Sequence, residues 1–352
     1  MNMQVNITLL KQLTETLIGP SGTAGQWLQA SRDLYRMLAD ASGLNETDPI
    51  NRQDIALDNG KAIAPLWAAH CILDFMRTRV FLRGILQAID TIGQRFPDTQ
   101  THVLYAGTGP FATLVLPLLP FLDPAKVRFT LLEISPRSIA CLEKLIRTFG
   151  FEAWIREIVC ADATTYQANP STPPHLVIAE MLQAGLRREP QVAATLNLAP
   201  QIAPGGFFIP QRICLQAGLL HPGLDQERMT QMKSAPDAVF EIMGPVFELS
   251  QHTVPYSSGS FPVVTLDFPE NRNPEFSRLA LFTEMEIFGT ISLDMWQSGL
   301  TQPLMLTALS PDTRLEQIGF QYHLGKDPGL EWQLIAREST AEVEVMEALK
   351  GD

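Results

Sequence analysis

Two acidic residues bracket one loop of the chain. Glu180 directly follows Leu176–Ala179, an apolar run with the composition of a buried strand, and Glu189 comes nine residues later. If the loop folds back on itself, both carboxylates face one point. Two such acceptors match the planar fork of a guanidinium group, which favours bidentate carboxylate partners. An ordinary alternative is that Arg187 and Arg188, in the same loop, pair with the two glutamates.

A Gly-x-Gly turn marks a second site. The apolar stretch Val103–Ala106 runs into Gly107 and Gly109, and a helix is predicted over 111–119. Gly107 can take a φ angle closed to other residues, and Gly109 lets the backbone approach a ligand. The free N–H groups of the following helix would then face that ligand. With Ala112, the spacing also fits the dinucleotide fingerprint of nicotinamide-dependent enzymes, so the turn predicts a nucleotide-binding corner without choosing the nucleotide.

Two further acids lie at predicted strand ends. Glu133 ends the strand 127–133, where an acid can accept both hydroxyls of a ribose. Asp162 follows the strand 153–159, where a carboxylate can accept the amino group of an adenine. The alternatives are a solvated acid at the end of a strand and an aspartate that caps the next turn. Together with the glycine turn, the two acids favour a ligand that contains adenosine.

Alternating strands and helices must position these residues. Beyond residue 101 the pattern predicts a parallel sheet with helices on its faces. Upstream, two amphipathic helices and one long helix are expected, the first two packing on a neighbour such as a second subunit. Strand-like runs dominate 211–345 and predict an antiparallel domain. The predicted elements are strands 102–106, 127–133, 153–159 and 175–180, and helices 8–19, 26–40, 63–94, 111–119, 136–149 and 190–202.

The composition excludes several classes of function. A net charge of −12 argues against a nucleic-acid partner, and no run of eighteen apolar residues indicates a membrane span. The four cysteines form no Cys-x-x-Cys pair and the six histidines lack metal-ligand spacing, so no metal site is expected. The start of the sequence has no secretion signal, and we expect a cytoplasmic protein.

The chain from residue 70 to 215 resembles the catalytic core of the protein arginine N-methyltransferase family, which uses S-adenosyl-methionine. The segment 103–110 is similar to the glycine motif of the branch that produces symmetric dimethylarginine, which also has a proline after the second glycine. Glu180 and Glu189 match the two-glutamate hairpin of the family in strand context and spacing. The segment 204–210 resembles the family's connection into a β-barrel.

The resemblance implies roles for further residues. Asp74–Thr78 matches the helix whose arginine pairs with the carboxylate of the methionine moiety, and Arg77 inherits that role; otherwise it is a surface charge paired with Asp74. Asp294 and Trp296 lie where the family carries a Thr-His-Trp loop that closes the arginine pocket, so Trp296 would stack on a guanidinium; the alternative is a half-buried aromatic side chain of the barrel. Asp294 departs from that motif. Residues 58–63 replace the family's aromatic helix over the cofactor.

In fold, the resemblance implies a Rossmann-like class I methyltransferase core with N-terminal helices and a C-terminal antiparallel β-barrel-like domain. The expected units are an N-terminal helical region at 1–62, an S-adenosyl-methionine-binding domain at 63–210 and a substrate domain at 211–352. The implied catalytic residues are Glu180 and Glu189, and the implied cofactor-binding residues are Arg77, Gly107, Gly109, Glu133 and Asp162.

The expected reaction is methyl transfer to a guanidino nitrogen of free L-arginine by a homodimer. Asp294 can meet a free α-ammonium group, and relatives of the family methylate free arginine in specialised-metabolite pathways. Three alternatives stay open. A protein arginine methyltransferase would share every site residue, an NAD-dependent oxidoreductase would give Glu189 no role, and a non-catalytic adaptor would have a decayed site.

Overall fold

The computed structural model describes residues 3–231, 239–253, 260–269, 272–310 and 315–336. Over these ranges the chain forms N-terminal helices, an α/β core and antiparallel sheets, in that order. Buried side chains from all three parts belong to one hydrophobic cluster. The parts therefore form one packed body around the site.

Two helices begin the chain, α1 (Met3–Ile18) and α2 (Ala24–Ser42). Thr23 and Gln26 form a capping box at the start of α2. Leucines on both helices are buried in the same cluster as the α/β core: Leu10, Leu17, Leu34 and Leu38. The predicted packing neighbour of these helices thus includes the core of their own chain.

The long helix predicted over 63–94 is two helices, and that expectation was wrong. The chain forms α3 (Pro65–His70), a 3-10 turn, and then α4 (Phe75–Arg95). Asp74 interrupts the helix, because its Oδ1 accepts a hydrogen bond from the backbone N–H of Arg77 at 3.2 Å and caps α4. A short antiparallel hairpin, β1 (Ile55–Leu57) and β2 (Gly60–Ala62), precedes them.

Five parallel strands form the central sheet in the spatial order β5-β4-β3-β6-β7. The inner strands are largely buried, as their apolar composition requires. This arrangement confirms the parallel sheet predicted from the sequence. The strands are β3 (Thr101–Ala106), β4 (Val127–Glu133), β5 (Ile155–Cys160), β6 (Leu176–Ala179) and β7 (Phe207–Ile209).

The helix predicted over 111–119 is absent. Turns follow Gly109, and a 3-10 helix then spans Leu116–Phe121. Ala112 has a φ angle of 43°, outside the right-handed helical region. Pro117 and Pro120 have no N–H group to donate to an α-helix. The glycine turn therefore has no α-helical N-terminus directly behind it.

The other core helices are α5 (Pro136–Phe149) and α6 (Gln191–Leu198). The helix α5 agrees with its predicted bounds because neighbouring residues define both of its ends. Ser135 caps the start, and Gly150, with a φ angle of 70°, ends it. The helix α6 stops earlier than predicted, before a short 3-10 turn.

Antiparallel sheets make up the C-terminal part, which confirms the predicted class of this domain. One sheet has the order β12-β11-β8-β9 with β13 paired to β11, and another has the order β10-β14-β15. Residues 337–345, which the sequence assigns to this domain, lie outside the described residues. The elements are β8 (Arg212–Leu220), α7 (Pro222–Gln231), β9 (Phe240–Ser250), β10 (Val264–Asp267), β11 (Arg278–Phe288), β12 (Ile291–Leu293), β13 (Leu304–Ala308), β14 (Leu315–His323) and β15 (Gly329–Ala336).

Candidate functional site

One cavity of about 510 Å³ lies at the carboxyl ends of β3, β4 and β6, which we call the main cavity. This edge is where open parallel sheets bind their ligands. Residues from both predicted sites line it, although they come from segments far apart in sequence. The residues brought together are Arg77, Gly107, Gly109, Glu133, Asp162, Glu180 and Glu189.

The glycine turn needs its glycines for local reasons. Gly107 has a φ angle of 72°, and a Cβ there would lie 2.3 Å from Cγ of Met181. Gly109 has a φ angle of 59°, and its backbone N–H donates to Oε2 of Glu133 at 2.7 Å. The turn is therefore fixed to the end of the neighbouring strand β4.

Glu133 and Asp162 both face the main cavity and both make local hydrogen bonds. The second carboxylate oxygen of Glu133 accepts from the backbone N–H of Ser135 at 2.9 Å. Burial raises the pKa of Glu133, and these backbone hydrogen bonds oppose that rise. Asp162 accepts from the backbone N–H of Thr164 at 2.8 Å, which is the turn-capping role weighed as the alternative. Each carboxylate oxygen has a further lone pair for a ligand.

Arg77 is buried at the start of α4 and points at the glutamate loop. Its Nη2 donates to Oε2 of Glu180, and its Nη1 donates to the carbonyl oxygen of Cys71 at 3.4 Å. Its Nε is buried and has no hydrogen-bond partner among the described residues. The reading of Arg77 as a surface charge is therefore wrong, because its residual exposure is 8%.

The loop between the two glutamates is held from inside the protein. Gln191, which is 1% exposed, accepts from the backbone N–H of Met181 at 2.8 Å and donates to the carbonyl oxygen of Ala179 at 3.1 Å. These two hydrogen bonds flank Glu180 on both sides. The barrel-like domain adds a bond from Tyr322 Oη to the carbonyl oxygen of Leu186 at 2.7 Å. Gln191 was not predicted as part of the site, because the sequence shows only a polar residue near the start of a predicted helix.

Glu180 and Glu189 are both buried, with residual exposures of 8% and 6%. Within the described ranges, neither glutamate forms a salt bridge with Arg187 or Arg188, so the ordinary ion-pair alternative does not hold. Burial raises the pKa of Glu189 to about 7, against the lowering effect of the Gln183 side chain and of the positive charge on Arg77.

The β1–β2 hairpin closes one side of the main cavity. Residues 58–62 form its turn and second strand, and they make up most of the segment 58–63 that was expected to replace the family's covering helix. Lys61 lines the cavity, and its Nζ lies 2.6 Å from Oδ2 of Asp54, which also lines it. Neither residue was predicted as part of the site. The sequence indicated this segment only through the expectation that it replaces a covering helix.

The main cavity is acidic. Five carboxylates line it against two permanent cations, Lys61 and Arg77, and each cation is paired with one of the five. The three carboxylates without a salt bridge to these cations belong to Glu133, Asp162 and Glu189. Such a lining favours cationic ligands.

Asp294 and Trp296 are not on the wall of the main cavity, which corrects the expected position of the loop. The Trp296 ring packs against Phe240 with the centroids 5.4 Å apart, and Asp294 is exposed and accepts from Ser292 and Gln297. The next residues reach the site instead. Ser298 Oγ donates to Oδ2 of Asp74 at 2.6 Å, and the following Gly299 and Leu300 line the cavity.

The structure also bears on other classes of site. Within the described ranges, no group of three or more His, Cys, Asp or Glu side chains could hold a metal ion. Among the helices of the described chain, none combines the length and the apolar composition that a membrane crossing requires.

Comparison with known proteins relates this geometry to solved structures. No family model and no curated protein sequence matches the chain. The Trypanosoma brucei PRMT1 enzyme–prozyme heterotetrameric complex with AdoHcy aligns with a TM-score of 0.51 and 13% identity, over 79% of this chain and 95% of that one. PRMT6 aligns with a TM-score of 0.53 and 11% identity, over 77% of this chain and 99% of that one.

The fold is that of the protein arginine methyltransferases. The alignment spans nearly the whole of both solved chains, so it includes more than the parallel sheet. The expected Rossmann-like core with a C-terminal antiparallel domain is thereby confirmed. Within this protein arginine methyltransferase fold, the main cavity occupies the strand-end edge of the core, where the fold brings the antiparallel domain against it.

Proposed function

We propose that the protein is an S-adenosyl-methionine-dependent N-methyltransferase that acts on a guanidino nitrogen, with free L-arginine as the acceptor. One observation carries the proposal. Two buried glutamates, Glu180 and Glu189, share a single acidic cavity with a glycine turn and a strand-end acid of the kind that binds a nucleoside. Such a cavity favours two cationic ligands, a sulfonium and a guanidinium.

The residues present fit the cofactor. Arg77 has a buried Nε without a partner among the described residues, and a carboxylate is the group that an arginine fork binds best. Glu133 and Asp162 retain lone pairs for ribose and adenine. When bound, S-adenosyl-methionine supplies a methyl group on positively charged sulfur. The AdoHcy in the Trypanosoma brucei PRMT1 complex supports this choice of cofactor.

The two glutamates would hold and orient the acceptor. A guanidinium group stays protonated because its pKa exceeds about 12, so it presents N–H donors and a positive charge. Glu180 and Glu189 accept from it in a buried setting, where charge-assisted hydrogen bonds are strong. They draw positive charge toward the bonded nitrogens and fix the remaining nitrogen for attack.

The acceptor nitrogen would gain a methyl carbon as the carbon–sulfur bond of the sulfonium breaks, which would leave neutral S-adenosyl-homocysteine. The substituted nitrogen would then be acidic and would lose a proton. Glu189 is suited to accept it, since burial raises its pKa to about 7 and brings that carboxylate close to neutral pH in basicity. Glu180 faces Arg77 and serves mainly to position the guanidinium.

The geometry argues against a nicotinamide dinucleotide. The pyrophosphate of a dinucleotide binds at the N-terminus of an α-helix behind the glycine turn. Here turns and a 3-10 helix follow Gly109, and the cavity has more carboxylates than cations. The intact set of Arg77, Glu180 and Glu189 likewise argues against a non-catalytic adaptor.

Protein arginine is the second candidate acceptor, favoured by the fold shared with PRMT1 and PRMT6. Asp294 lies off the wall of the main cavity, so it does not support free arginine as the acceptor. The remaining support is the replacement of the covering helix by a hairpin that carries Lys61, together with a second cavity analysed below.

The experiment is a methyl-transfer assay with S-adenosyl-methionine and three acceptor conditions: L-arginine, a Gly-Arg-rich peptide and none. We expect methylation of L-arginine, and a loss of about a hundred-fold or more in kcat for Glu180→Gln and Glu189→Gln, as for other preorganised charges. Glu143→Gln, on the exposed face of α5, is the matched control. A clear preference for the peptide would overturn the choice of acceptor, and transfer to neither would overturn the reaction.

We also propose that the protein is a cytoplasmic homodimer, and that it serves a specialised-metabolite pathway, as the sequence resemblance implies. The Trypanosoma brucei relative by fold is itself a heterotetramer. Light scattering on the purified chain measures the mass directly, and a monomer at micromolar concentration would contradict the dimer.

A further inference from the structure

A second cavity of about 610 Å³ adjoins the main cavity, and we call it the outer cavity. Three residues line both cavities: Leu57, Lys61 and Asp162. The outer cavity therefore begins where the main cavity ends, on the side of the β1–β2 hairpin.

Arg188 fixes the walls of the outer cavity. Its backbone N–H donates to the carbonyl oxygen of Pro328 at 2.9 Å, and its carbonyl oxygen accepts from the backbone N–H of Lys61 at 2.8 Å. A Cβ on Gly60 would lie 2.5 Å from that same carbonyl oxygen, so only glycine allows the approach. The hairpin, the glutamate loop and the β14–β15 turn are thus joined at one residue.

The outer cavity carries charges of both signs. Arg188 and Lys326 line it, and within the described ranges neither forms a salt bridge with a carboxylate. Three aspartates line it as well: Asp58, Asp162 and Asp327. A ligand group that matches this lining carries both a carboxylate and an ammonium.

The two cavities are one residue apart at the glutamate loop. Arg188 lines the outer cavity, and Glu189 lines the main cavity. Consecutive Cα atoms are about 3.8 Å apart, so the glutamate loop passes from the wall of one cavity to the wall of the other within one residue.

We propose that the outer cavity is the subsite for the α-ammonium and α-carboxylate groups of a free guanidino amino acid, with Arg188 and Lys326 as the partners of the carboxylate. This inference rests on the proposed function and specifies its substrate class. In a peptide, both groups of the arginine are neutral amides and leave these cations without a partner.

The test compares L-arginine with L-argininamide, which keeps the guanidinium and the ammonium but has no carboxylate. For the unmodified protein we expect kcat/KM to be about ten-fold higher for L-arginine than for L-argininamide. The difference should arise in KM and not in kcat, because the contact lies away from the reacting nitrogen. Arg188→Gln with Lys326→Gln should raise the KM for L-arginine about three- to ten-fold and leave that for L-argininamide unchanged.

Lys126→Gln is the control, because Lys126 is exposed before β4, at the amino end of the strand rather than at the cavity. Equal use of both compounds by the unmodified protein would overturn the subsite while leaving methyl transfer to guanidines intact. An equal rise in both KM values in the double variant would also overturn it. Methylation of neither compound would overturn the proposed function, and this inference with it.

Discussion

The guanidinium of Arg77 donates a hydrogen bond to the carboxylate of Glu180 across the main cavity. The sequence resemblance assigns these residues to different ligands: Arg77 would bind the carboxylate of the cofactor, and Glu180 would bind the acceptor. In the structure they are partners, and Arg77 presents to Glu180 the same chemical group that the proposed acceptor carries. The two ligand sites therefore share one ion pair.

This shared pair predicts that the cofactor promotes binding of the acceptor. A carboxylate at Arg77 competes for its donors and leaves Glu180 available to a second guanidinium. We expect L-arginine to bind at least ten-fold more tightly to the complex with S-adenosyl-homocysteine than to the protein alone, within the range of ordinary coupling energies. Calorimetric titration in both orders measures this, and equal affinities would contradict it.

The raised pKa of Glu189 predicts a pH dependence. Below a pKa of about 7 this carboxyl is protonated and neutral, and it then loses its charge-assisted bond to a guanidinium. We expect kcat/KM for L-arginine to fall about ten-fold for each pH unit below that value and to level off above it. A bound guanidinium favours the ionised carboxylate, so kcat should reach its plateau at lower pH than kcat/KM. Profiles from pH 5.5 to 8.5, at about half-unit steps, test this.

Gln191 is predicted to position Glu180 through the backbone. In Gln191→Leu the N–H of Met181 and the carbonyl of Ala179 lose their side-chain partner inside the protein. We expect the free energy of unfolding to fall by about 1–3 kcal/mol, and kcat to fall while cofactor affinity is retained. Urea denaturation and steady-state kinetics measure the two effects, with the exposed Gln29→Leu as control. An unchanged kcat would mean that Gln191 contributes to stability and does not position Glu180.

Ser298 is predicted to couple the antiparallel domain to the start of α4. Its Oγ donates to Asp74 Oδ2 at 2.6 Å, and the same carboxylate caps α4 through the N–H of Arg77. Ser298→Ala should lower the free energy of unfolding by about 1 kcal/mol and raise the KM for the acceptor, because the following residues line the main cavity. Ser292→Ala, exposed in the same segment, is the matched control. Identical behaviour of both variants would contradict the coupling.

Features with local causes could be predicted from the sequence. The ends of α5 follow from a serine cap and a terminal glycine, and the central strands follow from their apolar runs. The meeting of Glu133 and Glu180 also follows, because the carboxyl ends of parallel strands share one edge.

Features with distant causes could not be predicted. The backbone of Ala112 turns out of the helical region within the packed core, and single-sequence patterns do not indicate such an angle. Lys61 joins the site through the carbonyl of Arg188, and Ser298 joins it through Asp74. In each case the partner lies more than a hundred positions away in the chain, so no local sequence pattern indicates the contact. The expected position of Trp296 failed for the same reason: its packing on Phe240 is a tertiary contact.

The two backbone hydrogen bonds of Arg188 have a consequence for biosynthesis. They join the β1–β2 hairpin, which precedes the parallel sheet in the chain, to the turn before β15, which follows it. Contacts between such distant residues form late in folding, because closing a long loop costs conformational entropy before the contact stabilises the chain. A nascent chain that has emerged only as far as β7 has all the strands of the parallel sheet but lacks the turn that holds Arg188, the neighbour of Glu189. The proposed methyl transfer therefore requires that β14 and β15 have been synthesised and have docked.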